Sequence, residues 1–143
     1  MTARYRHLYY LASPYTHPDP KVMSERARIV TKAAVDLLKQ GIYVFAPIAY
    51  NAPWERYELP GNWEFWQHFD KAFVSRMDAV VVLKIDGWDE SVGVTAEIEF
   101  AKSLGIPVKY ITLSDIKNNT LDHLRNIKNT TTNDIRSNFE GKL

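Results

Sequence analysis

Glu97 stands where an apolar residue is expected. At about 100° per residue, Val94, Ile98, Ala101 and Leu104 share one face of a helix; Glu97 falls within that face, and Glu99 points nearly the opposite way. A carboxylate on a core-facing stripe is costly unless it is paired or has a task, although the first turn of a helix supplies backbone N–H groups and a favourable dipole. Either Glu97 escapes to solvent at the rim, or it is paired or has a task there. Asp70 poses the same choice. With Trp66 it forms an i, i+4 row beside the apolar seam Phe65, Phe69, Phe73 and Met77. That row either lines a cleft or carries an ordinary exposed aspartate.

The rest of the composition narrows the chemistry. There are no cysteines, which excludes disulfides, thiolate metal sites and cysteine catalysis. His7, His17, His68 and His123 lie too far apart to suggest a zinc site, so no metal and no cofactor are expected. No GxGxxG follows the first apolar run and no GxxxxGK[ST] occurs anywhere, which removes the two commonest phosphate-cradling loops. With 18 Lys plus Arg against 17 Asp plus Glu, there is no electrostatic footprint for duplex nucleic acid or an anionic membrane. No secretory h-region and no run of about 18 apolar residues is present, so a soluble cytoplasmic protein is expected. Four Trp and eight Tyr, several outside the apolar periods, are candidates for a stacking pocket.

The elements that must position Glu97 and Asp70 follow from periodicity. The run Asp78 to Ile85 is a β-branched strand, Asp86 to Gly93 a loop with two glycines, and the Glu97 stripe a helix that stops at Gly105-Ile106-Pro107. Leu8 to Ala12 reads as the first strand and leads into the proline-rich loop Ser13 to Pro20. A helix from about Lys21 follows, with Val22, Val30, Ala33, Ala34, Leu37 and Leu38 on one side and Gly41 as its stop; Ile42 to Ala46 is the second strand. Pro47 to Gly61 reads as a long irregular connection, and Asn62 as the N-cap of the Asp70 helix. Val108 to Thr112 is a fourth strand and Ser114 to Ile127 one more helix. Residues 1–128 are expected to form a single domain, and Asn129 to Leu143 a loose or partner-dependent tail. The fold class is α/β: a Rossmann-like (flavodoxin-like) parallel sheet of four or five strands with helices on both faces. Ligands of such sheets bind at the carboxyl edge, which gathers Tyr10 to His17, Pro47 to Trp54, Asp86 to Gly93 and the start of the Glu97 helix.

Three features taken together resemble the nucleoside 2-deoxyribosyltransferase superfamily: Tyr10-Leu11-Ala12-Ser13-Pro14 closing strand one, Asp70 eight residues before Asp78, and Ser91-Val92-Gly93-Val94-Thr95-Ala96-Glu97 opening a helix. The resemblance spans roughly residues 8 to 112. It is nearest to a group of short bacterial and phage proteins that open with the same Leu-Ala-Ser-Pro-Tyr phrase. It implies that Glu97 is the nucleophile, that Asp70 assists at the nucleobase and that Tyr10 orients the nucleophile. Ser91 lies where the transferases have a sugar-contacting aspartate and where deoxynucleoside 5′-monophosphate N-glycosidases have a phosphate-contacting serine. Substrate contacts are expected from Ser91, Gly93, Ser13, Pro14, Tyr15, His17, Asn51 and Trp66, with Trp63, Trp66, Tyr50 or Trp54 stacking on the base.

The chemistry is consistent with these groups. Breaking an N-glycosidic bond passes through an oxocarbenium-like sugar that a carboxylate stabilises and captures. The departing base needs a proton, which a carboxylic acid of raised pKa supplies. The expected function is cleavage of the N-glycosidic bond of a nucleoside or nucleoside 5′-monophosphate through a glutamyl-glycosyl intermediate, by hydrolysis or by transfer to another base. The alternative is a non-catalytic nucleotide-sensing module of the same fold. A small-molecule partner and a homo-oligomer are implied by the resemblance.

Overall fold

The computed structural model describes residues 6–125. Four strands, β1 (Leu8–Ala12), β2 (Tyr43–Phe45), β3 (Ala79–Leu83) and β4 (Val108–Ile111), form one wholly parallel sheet in the order β2-β1-β3-β4. Parallel strands buried on both faces need no alternation of polar and apolar residues, and β3 reads Ala-Val-Val-Val-Leu with every residue buried. The two faces are nonetheless distinct, because side chains alternate along a strand. Tyr9, Leu11, Val81 and Leu83 pack with Val30, Ala33 and Leu37 of helix α1 (Pro20–Lys39). Tyr10, Ala12, Val80 and Val82 face the opposite layer. There they meet Val74 of α3 (Trp63–Val74) and Val94 and Ala101 of α4 (Val92–Ser103).

The helix boundaries have local causes. Asp19 caps α1 by accepting from the Lys21 N–H with Pro20 at the first position, and Asn62 caps α3 by accepting from the Phe65 N–H at 3.1 Å. Gly41 and Gly105 follow α1 and α4 with φ of +77° and +72°, a conformation that favours glycine and reverses the chain toward the next strand.

Three expectations need correcting. The connection after β2 is largely helical: Pro47, whose ring presets a helical φ, starts α2 (Pro47–Asn51), and a 3-10 turn (Ala52–Tyr57) continues it until Glu58 adopts φ +60°. The single late helix is two short ones, α5 (Leu113–Asn118) and α6 (Asp122–Arg125). A reciprocal capping box between Thr112 and Asp115 starts the first, and Asn119 at φ +54° ends it. Phe65 and Leu38 are exposed, because the faces that meet the sheet are centred on Val74 in α3 and on Val30, Ala33 and Leu37 in α1. The proposed boundary at residue 128 and the tail 129–143 lie outside the described residues.

Aromatic rings tie α2 and the 3-10 turn to α3. Phe45 stacks on Phe73 at 4.1 Å, Phe73 touches Phe69, and Trp54 meets Phe69 edge-on at 6.1 Å. Leu37 is fully buried under the other face. Its replacement by Ala is expected to lower stability by about 2–5 kcal/mol, whereas Thr112→Ala, which removes a cap, is expected to cost about 1 kcal/mol. Urea denaturation of the three proteins checks the order.

Candidate functional site

The strand order reverses direction at β1: α1 carries the chain from β1 out to β2, and the next connection returns it past β1 to β3. Loops leaving β1 and β3 therefore splay apart at their carboxyl ends and leave a crevice. Tyr10 projects from β1 on the α3/α4 side, fully buried, and its hydroxyl donates to Glu97 Oε2. Glu97 is 6% exposed and belongs to the buried face of α4 with Val94 and Ala101. Because α4 begins at Val92, Glu97 lies in its second turn, beyond the reach of the free N–H groups that a first-turn position would have offered. Tyr10 supplies the polar partner instead.

Asp70 reaches the same point from α3. Burial, opposed by hydrogen bonding to Tyr10 and Glu97, pushes its carboxyl up from 3.8 to about 6. Burial first, and then the neighbouring Asp70 charge, push the Glu97 carboxyl well above the usual range, against the Tyr10 hydrogen bond. The Tyr10 hydroxyl is likewise held protonated by burial and by the Glu97 charge. Two carboxylates in one dry site hold a shared proton, because both cannot be ionised without mutual repulsion.

The cavity in front of this cluster has a volume of about 670 Å³. Of the residues singled out from the sequence, Ser13, Tyr15, Asn51, Trp66, Asp70, Ser91, Gly93 and Glu97 line it, while Tyr10 stands behind Glu97. Three buried polar atoms on this wall, Ser13 Oγ, Asn51 Oδ1 and Asp70 Oδ1, have no hydrogen-bond partner in the protein. Orphaned polar atoms are costly inside a protein unless something else satisfies them, and these three belong to residues of one wall. Trp63 and Trp66 supply flat apolar surface, the latter pinned by its Nε1–H to the Pro60 carbonyl at 2.6 Å. Ser91 caps α4, its Oγ accepting from the Val94 N–H at 3.2 Å. Among the described residues no cluster of His, Asp or Glu is arranged to hold a metal ion.

Other candidates lie elsewhere. Pro14 is buried but is not part of the cavity wall, nor is His17, whose Nδ1 accepts from the Asp19 N–H at 2.9 Å. Tyr50 and Trp54 pack on one another at 5.0 Å within the aromatic layer and do not reach the cavity. Conversely, Glu55 was not foreseen. It lines the cavity and accepts a hydrogen bond from the Tyr15 hydroxyl, closing a bridge between the β1 loop and the 3-10 turn. Burial and that bond hold the Tyr15 proton tightly. No spacing rule marks Glu55, because its partner is 40 residues away.

Arg26 of α1 was also inconspicuous among the other basic residues of its helix. Its guanidinium donates to the carbonyls of Thr16 at 3.0 Å, Tyr15 at 3.4 Å and Asp86 at 3.3 Å, stitching the β1 loop to the β3 loop. Gly87, with φ +90°, lets it approach, since a Cβ there would lie 2.3 Å from Arg26 Nη2. A lysine offers one ammonium where a planar fork is needed. Arg26→Lys is therefore expected to speed amide hydrogen exchange in both loops while leaving β1 and β3 protected, as mass spectrometry of exchanged peptides will read.

The raised Asp70 carboxyl has a pH signature. The folded state binds this proton more tightly than the unfolded chain does, so stability falls as pH rises from about 4 through 6. Asp70→Asn is expected to be more stable than the parent above pH 6, by up to about 3 kcal/mol, with the gain gone below about pH 4. Urea midpoints measured across that range test it.

Comparison with known proteins adds two findings. A family model described as "Domain of unknown function (DUF1937)" matches residues 7–112. Among solved structures, the chain is similar to a 2-deoxyribosyltransferase from the psychrotolerant bacterium Bacillus psychrosaccharolyticus. The identity is 27% and the TM-score 0.51, with 73% of this chain and 72% of that chain covered. No curated protein matches the chain. No helix among the described residues is long and apolar enough to cross a membrane.

Proposed function

The chain belongs to the DUF1937 family, and from the site this stretch builds we propose that it is an enzyme cleaving the N-glycosidic bond of a nucleoside or nucleoside 5′-monophosphate. What supports this above all is Glu97: a carboxylate 6% exposed, on the wall of a ligand-sized cavity, held by the Tyr10 hydroxyl and flanked by Asp70. The likeness to a 2-deoxyribosyltransferase supports the reaction class.

Burial favours a proton on Glu97, the deeper of the two carboxylates, and the Tyr10 hydrogen bond opposes it. A sugar bound with its anomeric carbon over Glu97 changes that balance. As the glycosidic bond lengthens, positive charge grows at the sugar and draws the negative charge onto Glu97, leaving the proton to Asp70. Glu97 then bonds to the anomeric carbon while the pair of electrons of the C–N bond leaves with the base, which takes the Asp70 proton at a ring nitrogen. Water, or a second base, attacks the glycosyl-enzyme and restores Glu97. Trp63 and Trp66 sandwich or edge the base, and the orphaned Asn51 and Ser13 atoms fix its orientation or that of the sugar.

Ser91 and Gly93, at the start of α4, are assigned to the sugar hydroxyls, which an aspartate contacts at the Ser91 position of the transferases the chain resembles, or to a 5′-phosphate, which a serine contacts there in the N-glycosidase branch. Assembly into a homo-oligomer belongs to the same proposal. Val92, which lines the cavity and is 70% exposed, is a surface such an assembly would cover.

The test is release of free base from a panel of nucleosides and 5′-monophosphates, followed by chromatography with and without an acceptor base. Glu97→Ala is expected to lose at least about 10³-fold in kcat/KM and Asp70→Asn about 10²- to 10⁴-fold. Product formed only when acceptor is present would make the enzyme a transferase. Turnover that survives Glu97→Ala would exclude the covalent route, and ligand binding without any turnover would leave a sensing module.

A further inference from the structure

The charged side chains lining the cavity are all acidic: Glu55, Asp70, Glu90 and Glu97. Among the described residues no Lys, Arg or His shares that wall. The basic groups of the surrounding elements are engaged elsewhere. Arg26 is spent on three backbone carbonyls, the Arg56 guanidinium lies over the Tyr57 ring at 4.9 Å, and Lys71 lies over Phe100 at 5.3 Å while bonding Gln67. A cleft lined by one sign of charge focuses its field on whatever enters. The flat walls add to this, because the faces of Trp63, Trp66 and Tyr15 are where a cation binds an aromatic ring best. Finally, two of the three orphaned atoms, Asn51 Oδ1 and an ionised Asp70 Oδ1, only accept hydrogen bonds, and Ser13, 7% exposed, is a third lining residue whose Oγ has no partner in the protein.

From this juxtaposition of acidic rim, aromatic walls and unpaired acceptors, we propose that the cavity selects nucleosides whose base is cationic, such as N7-alkylated purine or pyridinium-carboxamide nucleosides. The inference rests on the N-glycosidic reading above and narrows its substrate class. In such a substrate the positive charge sits on the base before reaction. The cation displaces the proton shared by Glu97 and Asp70 to solvent, so both are ionised in the complex. When Glu97 Oε bonds to the anomeric carbon, the electron pair of the breaking C–N bond neutralises the ring nitrogen, so the base departs uncharged and needs no proton. Water then attacks the anomeric carbon, breaking its bond to Glu97 and giving up one proton to solvent. Asp70 acts on such a substrate as a fixed charge rather than as an acid, which separates its two possible roles.

The experiment uses the full chain and matched pairs: a purine nucleoside and its N7-methyl cation, with nicotinamide riboside as the pyridinium member. Binding is read by thermal shift and calorimetry in the parent and in Glu97→Gln, and kcat/KM is normalised to each compound's uncatalysed rate, because cationic nucleosides hydrolyse faster on their own. The cationic members are expected to bind about 10-fold or more tightly than their neutral partners, with the margin shrinking in Glu55→Gln and Glu90→Gln. Asp70→Asn is expected to lower kcat on the neutral nucleoside by about 10²-fold or more and on the cationic one by less than about a tenth of that factor. Equal or weaker binding of the cations, or an equal loss on both substrates, would overturn the inference while leaving the N-glycosidase reading standing. Tight cation binding with no turnover of any compound would overturn the N-glycosidase reading and retain the preference.

Discussion

A carboxylate cannot be placed in an apolar layer without something to hold it, and in this chain the Tyr10 hydroxyl and the Asp70 carboxyl hold Glu97. Tyr10 is itself fully buried at the middle of the sheet, so its donation to Glu97 is made by a group with nowhere else to go. The arrangement works because β1 lies between β2 and β3, giving its side chains rigid neighbours on both sides. Asp70 completes the cluster from α3, and the repulsion between the two carboxylates makes a shared proton the natural state of the pair. Every further feature of the site, from the shape of the cavity to its acidity, is arranged around that buried charge.

The supports are of two kinds. Apolar packing fixes the elements: Val94 and Ala101 hold α4 on the sheet, and the rings of Phe45, Phe73 and Phe69 hold α3 beside it. Polar bridges fix the loops: Arg26 joins the loops after β1 and β3, and Tyr15 joins the first of these to Glu55. The first kind resists deformation because dense cores do not yield by small amounts. The second kind is adjustable, since each bridge is a few hydrogen bonds near solvent. A rigid floor with a tunable rim suits a site that must hold reacting atoms still and yet admit a ligand.

Much of this was legible beforehand. The strands announced themselves through β-branched runs, and Glu97 through its place on an apolar stripe, because burial imposes a period that a single charged residue visibly violates. Trp66 and Asp70 form one i, i+4 row beside the core seam, a place that suits an exposed aspartate as well as a cleft, so it is the resemblance and not the period that singles out Asp70. What escaped notice is equally instructive. Pro47 to Tyr57 reads as loop because two prolines and an asparagine interrupt it and it shows no apolar period, while the aromatic packing that holds it is tertiary. Asn119 splits the late helix through a backbone conformation that no apolar period reveals. Glu55 and Arg26 act through partners distant in the chain, and their types and local spacing match those of ordinary surface residues. The placing of His17 and Pro14 outside the cavity wall has the same origin, since a proline-rich loop gives no hint of which residues turn inward.

The central position of β1 also has a bearing on how the molecule comes into being. The Leu8 N–H waits for Asp78, 70 residues further on, and Tyr10 for Glu97, 87 residues further on. A ribosome that has extruded the first strand, its helix and β2 has made a pair of strands with one long edge still open, and such edges are what aggregate. Non-local parallel pairing is also slow to form. The nascent chain thus carries the centre of its sheet unprotected until β3 emerges, and the Tyr10–Glu97 contact exists in no fragment that stops short of residue 97. The candidate site is assembled only as the fold closes.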